Sequence, residues 1–257
     1  MLIGTGLVLP SNPVFSLINQ IYALFAGGQN GAWYDPSEAI ISPWYQASAG
    51  TIPVTAVGQN VGFMRDKSGR GNHALQVTET SKPALQIDGN GKYSSIFSGI
   101  DTLSSATGGG STSGFFWCGA VNIAAAPVGS IGLFNDIGIS SGYLIRINPA
   151  LTVSLFAGTG TVYASATTGN SLVVGAVALI TVWDDGINLC VQIDSGAIAQ
   201  IARPVVAAGS AGFRIGTAFG GEFFQGNIYS FIYRTGIPVT ASERANIQSY
   251  CRQQAGL

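Results

Sequence analysis

The chain has 257 residues and a formal net charge of −1, and only 9% of its residues are charged, against roughly 25% in ordinary soluble domains. Length allows one large all-β domain or two small ones. No Lys or Arg precedes Arg65, so no basic surface is on offer to a phosphate backbone and nucleic acid is excluded as a partner. So little charge keeps a bare surface poorly soluble, which points to coverage by partner subunits.

In chain order, the first element is a helix in SNPVFSLINQIYALFAGG (11–28). Asn12 stands as N-cap, Pro13 at the first helical position and Gly27 after the last turn. Ser16, Asn19, Gln20 and Ala23 form one narrow polar stripe, while Phe15, Leu17, Ile18, Ile21, Tyr22, Leu24 and Phe25 cover the rest. An isolated helix this short is marginal in water and needs a partner surface. Packing on its own domain and docking onto another chain both satisfy that need. The segment lacks the cationic region that opens a signal peptide.

From residue 51 the pattern becomes short apolar runs broken by Gly, Asn, Asp and Ser, the mark of many strands. YLIRINPALTVSLF turns at Asn148-Pro149, ITVWDDGINLCVQI at Asp185-Gly186, and VQIDSGAIAQIA at Ser195-Gly196. Successive hairpins without helical crossovers predict an antiparallel sandwich or jelly roll. The run at 171–183 is too short for a membrane span, which takes about 20 residues. Thr240 with Glu243 forms a capping box that starts a C-terminal helix ending near Gly256. Cys118, Cys190 and Cys251 are too few and too widely spaced for a disulfide framework or a zinc site, and read as buried free thiols.

Several loops have compositions that could carry chemistry. DKSGRGNH (66–73) lacks the G-x-x-x-x-G-K-[ST] spacing of a phosphate loop and reads as a tight turn. GGGSTSG (108–114) leads into a strand rather than a helix, so it reads as a flexible loop. His73 is the single histidine, which leaves a nucleophilic Ser or Cys without a base. Trp33, Tyr34, Trp44 and Tyr45 read as a hydrophobic seam.

WYDPSEA (33–39), PVTAVGQNVGFMRDKSGRGNHALQ (53–76), KPALQIDGNGKYSSIFSGIDTL (82–103), ITVWDDGINLCVQIDSG (180–196) and FQGNIYSFIYR (224–234) occur in that order, followed by the Thr-Ala-Ser-Glu-Arg helix start. Together they resemble the concanavalin A-like (laminin G-type) jelly roll found in bacteriophage virion proteins. The resemblance covers roughly residues 33 to 255 and implies two packed antiparallel sheets with a carbohydrate- or partner-binding concave face and rim loops, to which the short N- and C-terminal helices read above are added. It also implies a virion component such as a tail fibre, head fibre or capsid decoration protein, made in the host cytoplasm.

Glycosidases of this fold carry a Glu-x-Asp-x-x-Glu run, whereas here Glu occurs only at 38, 79, 222 and 243 with no carboxylate two residues on. Neighbours in a DDG hairpin point to opposite faces or serve the turn, which disqualifies Asp184-Asp185. Laminin G-type relatives can hold calcium, for which Asn135-Asp136 is the nucleus; without a dense Asp cluster a structural loop is preferred and no cofactor is assigned. Asn135 and Asp136, with Tyr143 and Arg146 on the next strand, are the candidate sugar-binding residues.

The expectation is a non-enzymatic virion protein, with a receptor-binding glycan module as the alternative and a polysaccharide-degrading enzyme behind it. An N-terminal assembly segment (1–32) precedes the jelly roll (33–257), and Phe15, Leu17, Ile18, Ile21, Tyr22 and Phe25 form the assembly interface. Expected partners are other virion proteins, further copies of the chain as a trimer by analogy with fibres, and a host surface glycan.

Overall fold

The computed structural model describes residues 13–39, 44–136, 141–218 and 221–257, the side chains of 13–16 excepted. Among them the strands are β1 (Asn30–Tyr34), β2 (Phe63–Met64), β3 (Ala74–Leu75), β4 (Ala84–Ile87), β5 (Tyr93–Ser98), β6 (Leu103–Ser105), β7 (Phe116–Ile123) and β8 (Ile131–Asn135). They continue with β9 (Ser141–Ile147), β10 (Val153–Thr159), β11 (Tyr163–Thr167), β12 (Val177–Asp184), β13 (Asn188–Ile193), β14 (Ala199–Ala202), β15 (Phe213–Ile215) and β16 (Gln225–Thr235). The helices are α1 (Pro13–Ala23) and α2 (Ala241–Ala255).

The strands form two antiparallel sheets. The first runs β14-β13-β12-β7-β16-β5-β4, with β1 also paired to β16, and the second runs β11-β10-β9-β8-β15-β6-β3-β2. The three expected hairpins are present. Asn148 N donates to Thr152 O at 2.9 Å, Asp185 Oδ1 accepts from Asn188 N at 2.6 Å, and Gly196 N donates to Ile193 O at 3.0 Å.

Between the sheets lies the sandwich core. Trp117 stacks on Phe231 at 5.6 Å between centroids, and Phe134 meets Tyr233 at 4.6 Å and Phe213 at 5.3 Å. A second core lies on the other side of the first sheet, under the two helices: Phe116, Cys118, Ala120, Leu179, Trp183, Tyr229 and Ile232 meet Ile21, Leu24, Phe25, Ile247, Tyr250 and Cys251. Strands covered on both faces carry near-continuous apolar runs, which is why FWCGAVNI and VALITVWD show no polar alternation. Cys118, Cys190 and Cys251 are buried and free.

Helix α2 starts at the expected capping box, with Glu243 N donating to Thr240 Oγ1 at 3.2 Å and Thr240 N to Glu243 Oε2 at 2.8 Å. It ends at Gly256 in the left-handed region, φ 74°. Helix α1 keeps its polar stripe outward at Asn19, Gln20 and Ala23. Part of its expected assembly face packs on its own domain: Ile21 and Phe25 are buried, while Tyr22 sets its ring edge on Trp33 at 5.1 Å and stays 48% exposed. Leu17 and Ile18 are half-buried. Asn12 and the Phe15 side chain lie outside the described residues. The expected boundary at residue 32 falls inside β1, so helix and sandwich are one packed body.

Residues 66–73 form a turn that holds β1 in place. The buried Asp66 carboxylate accepts from Trp33 N at 3.0 Å, Ser68 N at 2.8 Å and Asn72 N at 3.0 Å. Asn72 then donates to Gly31 O at 2.6 Å and accepts from the Tyr34 hydroxyl through its backbone carbonyl. His73 accepts from Asp66 N at 3.1 Å, closing the turn. Of the four aromatic residues read as a seam, Trp33, Tyr34 and Trp44 are buried and Tyr45 is half-buried.

Candidate functional site

The helices occupy the outer face of the first sheet, so the outer face of the second is where an open site can form. Strand pairing fixes which side chains share it. Ser104 on β6 pairs with Arg214 on β15, Arg214 with Asn135 on β8, Asn135 with Leu144 on β9, Leu144 with Phe156 on β10, and Phe156 with Ser165 on β11. In register, these six stand on one face in a row across six strands. The next row places Arg146 against Ser154 and Ser154 against Thr167.

At the centre Arg146 lies over the Phe156 ring, 5.1 Å from guanidinium carbon to centroid, and its Nη2 meets Glu222 Oε2 at 2.8 Å. Tyr163 adds a second ring edge-on to Phe156 at 6.5 Å. Phe156, Tyr163, Arg146 and Glu222 are all half-buried, so each presents part of its surface to solvent. Toward the β6 edge the row borders a polar pocket of about 290 Å³, lined by Ser104, Ser105, Asn135, Ser210, Gly212 and Arg214. A larger rim cavity of about 490 Å³ lies beside Glu222, between the 125–131 loop and residues 221–225.

Of the four candidate sugar-binding residues, the structure brings Asn135 and Arg146 to this face and turns the other two inward. Adjacent strand residues, and residues three apart, point to opposite faces, so Asp136 cannot accompany Asn135, nor Tyr143 accompany Arg146. Tyr143 is 0% exposed, stacked on Phe115 at 4.4 Å, and its hydroxyl donates to Asp184 Oδ2 at 2.5 Å. It is no stacking platform for a sugar. Asp136 is also fully buried; it accepts from Tyr143 N at 2.5 Å and from Gly110 N and the Tyr233 hydroxyl at 3.3 Å each. Burial pushes its carboxyl up to about 7, against the pull of those hydrogen bonds. Gly142, at φ +75°, packs on this carboxylate where a Cβ would lie 2.8 Å from Oδ1.

The adjacent Asp184 and Asp185 also have separate structural duties. Buried Asp184 accepts from Arg203 Nε at 2.6 Å, and Asp185 serves the β12–β13 turn. Among the described residues no group of three or more His, Cys, Asp or Glu is gathered to hold a metal ion, and no helix is long and apolar enough to cross a membrane. Sequence reading missed Phe156, Arg214, Ser104 and Glu222. The first three were marked by alternation in VSLF, FRI and LSS, while Glu222 arrives from a loop that no periodicity announces.

No family model matches the chain, and no curated protein matches it. Solved structures share its fold. Domain 4 of a GH43 extracellular arabinanase from Geobacillus stearothermophilus, solved with arabinotriose, gives a TM-score of 0.54 at 14% identity over 71% of this chain and 92% of that one. An arabinofuranosidase complexed with arabinofuranosyl-α-1,2-xylobiose gives 0.56 at 13%, over 76% of this chain and 51% of that one. The ligand-binding domain of botulinum neurotoxin serotype D, in complex with N-acetylneuraminic acid, gives 0.53 at 12%, over 75% and 48% respectively. The match spans about half of each of the latter two. At such identities the likeness shows the fold alone, a β-sandwich of the jelly-roll kind.

Proposed function

We propose that this chain is a non-catalytic carbohydrate-binding module whose ligand lies across the outer face of the second sheet. The observation that carries this reading is the half-buried Phe156–Arg146–Glu222 group, flanked by Tyr163 and by serine and threonine hydroxyls. An aromatic face takes the apolar side of a sugar ring, and a fixed guanidinium–carboxylate pair supplies donors and acceptors to its hydroxyls. That sugars accompany all three of these similar structures supports the reading by analogy.

The non-catalytic part rests on the missing second carboxylate. The eight strands of the second sheet contain no Asp or Glu, and Glu222 is held by Arg146, whereas glycoside hydrolysis needs a pair. The order of sequence motifs supports a bacteriophage particle as the setting. There the module serves as the receptor-binding part of a fibre or decoration component.

Binding to an immobilised oligosaccharide array tests the proposal. The wild type retains specific glycans, and Phe156→Ala loses them by about tenfold or more while its free energy of unfolding stays within about 1 kcal/mol of wild type. Unchanged retention by the variant, or release of reducing ends by the wild type, would overturn it.

A further inference from the structure

Resting on the carbohydrate reading above, we infer that the bound glycan is acidic, and that Arg214 takes the carboxylate of one of its sugars in the polar pocket beside Ser104 and Asn135. The outer face carries two guanidinium groups. Arg146 is neutralised by Glu222 and packed on Phe156. Arg214 differs: it is exposed, and no ion pair joins it to a carboxylate among the described residues. The residues outside that description include no Asp or Glu either. No carboxylate compensates this arginine in a chain where only 9% of residues are charged.

Its surroundings are shaped for an anion. Beside the guanidinium, the pocket is lined by serine hydroxyls, the Asn135 carboxamide, Gly212, Ala106 and Phe213, with no acidic side chain among the lining residues. Asn135 is pinned by its Nδ2 to Thr217 O at 2.6 Å, so the wall beside the guanidinium is rigid. The Asp136 carboxylate behind it points into the core, where burial favours its neutral form. A guanidinium offers a planar fork of donors that matches a carboxylate in two parallel hydrogen bonds.

A pocket of about 290 Å³ falls just below the roughly 300–1,000 Å³ span of small-molecule sites, which suits one sugar residue. Arg214 and Phe156 are three strands apart, about 14 Å at ~4.8 Å per strand. A ligand touching both is therefore a chain of sugars, with its acidic unit at the β6 side.

The test is an array of matched probes: oligogalacturonides and sialyl-oligosaccharides, each beside its own methyl ester, which keeps the shape and removes the charge. The wild type binds at least one acid about tenfold or more tighter than its ester, the preference fades as salt rises, and Arg214→Gln binds that acid no better than the ester. Equal binding of acid and ester by the wild type overturns this inference, as does a preference that survives in Arg214→Gln; in either case Phe156-dependent binding leaves the carbohydrate reading standing. Absence of binding to every sugar overturns both.

Discussion

Asp136→Asn should remove a pH dependence from the protein's stability. Asp136 sits wholly inside the end of the sandwich, and burial moves its carboxyl from an ordinary 3.8 to about 7. In the folded protein it therefore keeps a proton that the unfolded chain releases above about pH 4. The stabilisation from this group is complete below pH 4, and is lost as the pH rises to 7. A displacement of about three pH units at 1.36 kcal/mol each amounts to about 4 kcal/mol. Asparagine resembles the protonated acid: it retains the acceptor for Tyr143 N and has no charge to bury. Asp88 and Glu243, where burial is outweighed by hydrogen bonds and the carboxyls sit below their ordinary range, push stability the opposite way and cancel in the comparison. Urea unfolding at pH steps from 4 to 8 measures both proteins. The wild type should lose about 4 kcal/mol relative to Asp136→Asn across that window. Parallel stability curves would refute the burial argument.

Two further substitutions probe the scaffold. Asp66→Ala strips the acceptor from three backbone donors at Trp33, Ser68 and Asn72, a loss of about 3 kcal/mol or more at 1–3 kcal/mol per buried donor; faster amide exchange at Trp33 would show β1 loosening, and unchanged exchange would deny the turn its role. A chain beginning at Gly31 lacks the burial of Ile21, Leu24 and Phe25, worth about 1.5–3 kcal/mol each. It should melt lower and bind a hydrophobic dye on the bared Trp33 and Tyr250, whereas an unaltered melting temperature would mean that α1 contributes nothing to the domain.

The fold was legible where local chemistry decides the outcome. The turns at Asn148, Gly186 and Gly196, the capping box at Thr240 and the Gly256 stop all depend on residues within a few positions of one another. Which face a strand shows was less legible. In YLIRI four residues are apolar, because Leu144 is buried on the outer face as Tyr143, Ile145 and Ile147 are on the inner one. The apolar residues of that run do not say which side Tyr143 takes, and its hydroxyl, read as a polar handle for a sugar, belongs instead to the buried Asp184. Arg146 alone marks the outer side by its charge. The helix α1 was ambiguous for another reason: an apolar circumference is the same whether its partner is a neighbouring chain or the chain's own first sheet.

That ambiguity resolves through the second core, and its resolution directs the site. Phe116, Cys118 and Ala120 on β7 and Leu179 on β12 give the first sheet an apolar outer face that water cannot cover at low cost. Both helices are drawn onto it, each by the face it must bury. The second sheet has less such demand: its outward positions include Ser104, Arg214, Arg146, Ser165 and Thr167, which tolerate water and can also exchange it for a ligand's hydroxyls. A sandwich with one sheet roofed by helices and the other lined with hydroxyls, two arginines and a half-buried ring is polarised. Assembly contacts that leave the second sheet uncovered would preserve the proposed binding, so a low overall charge is compatible with an open outer face on that sheet.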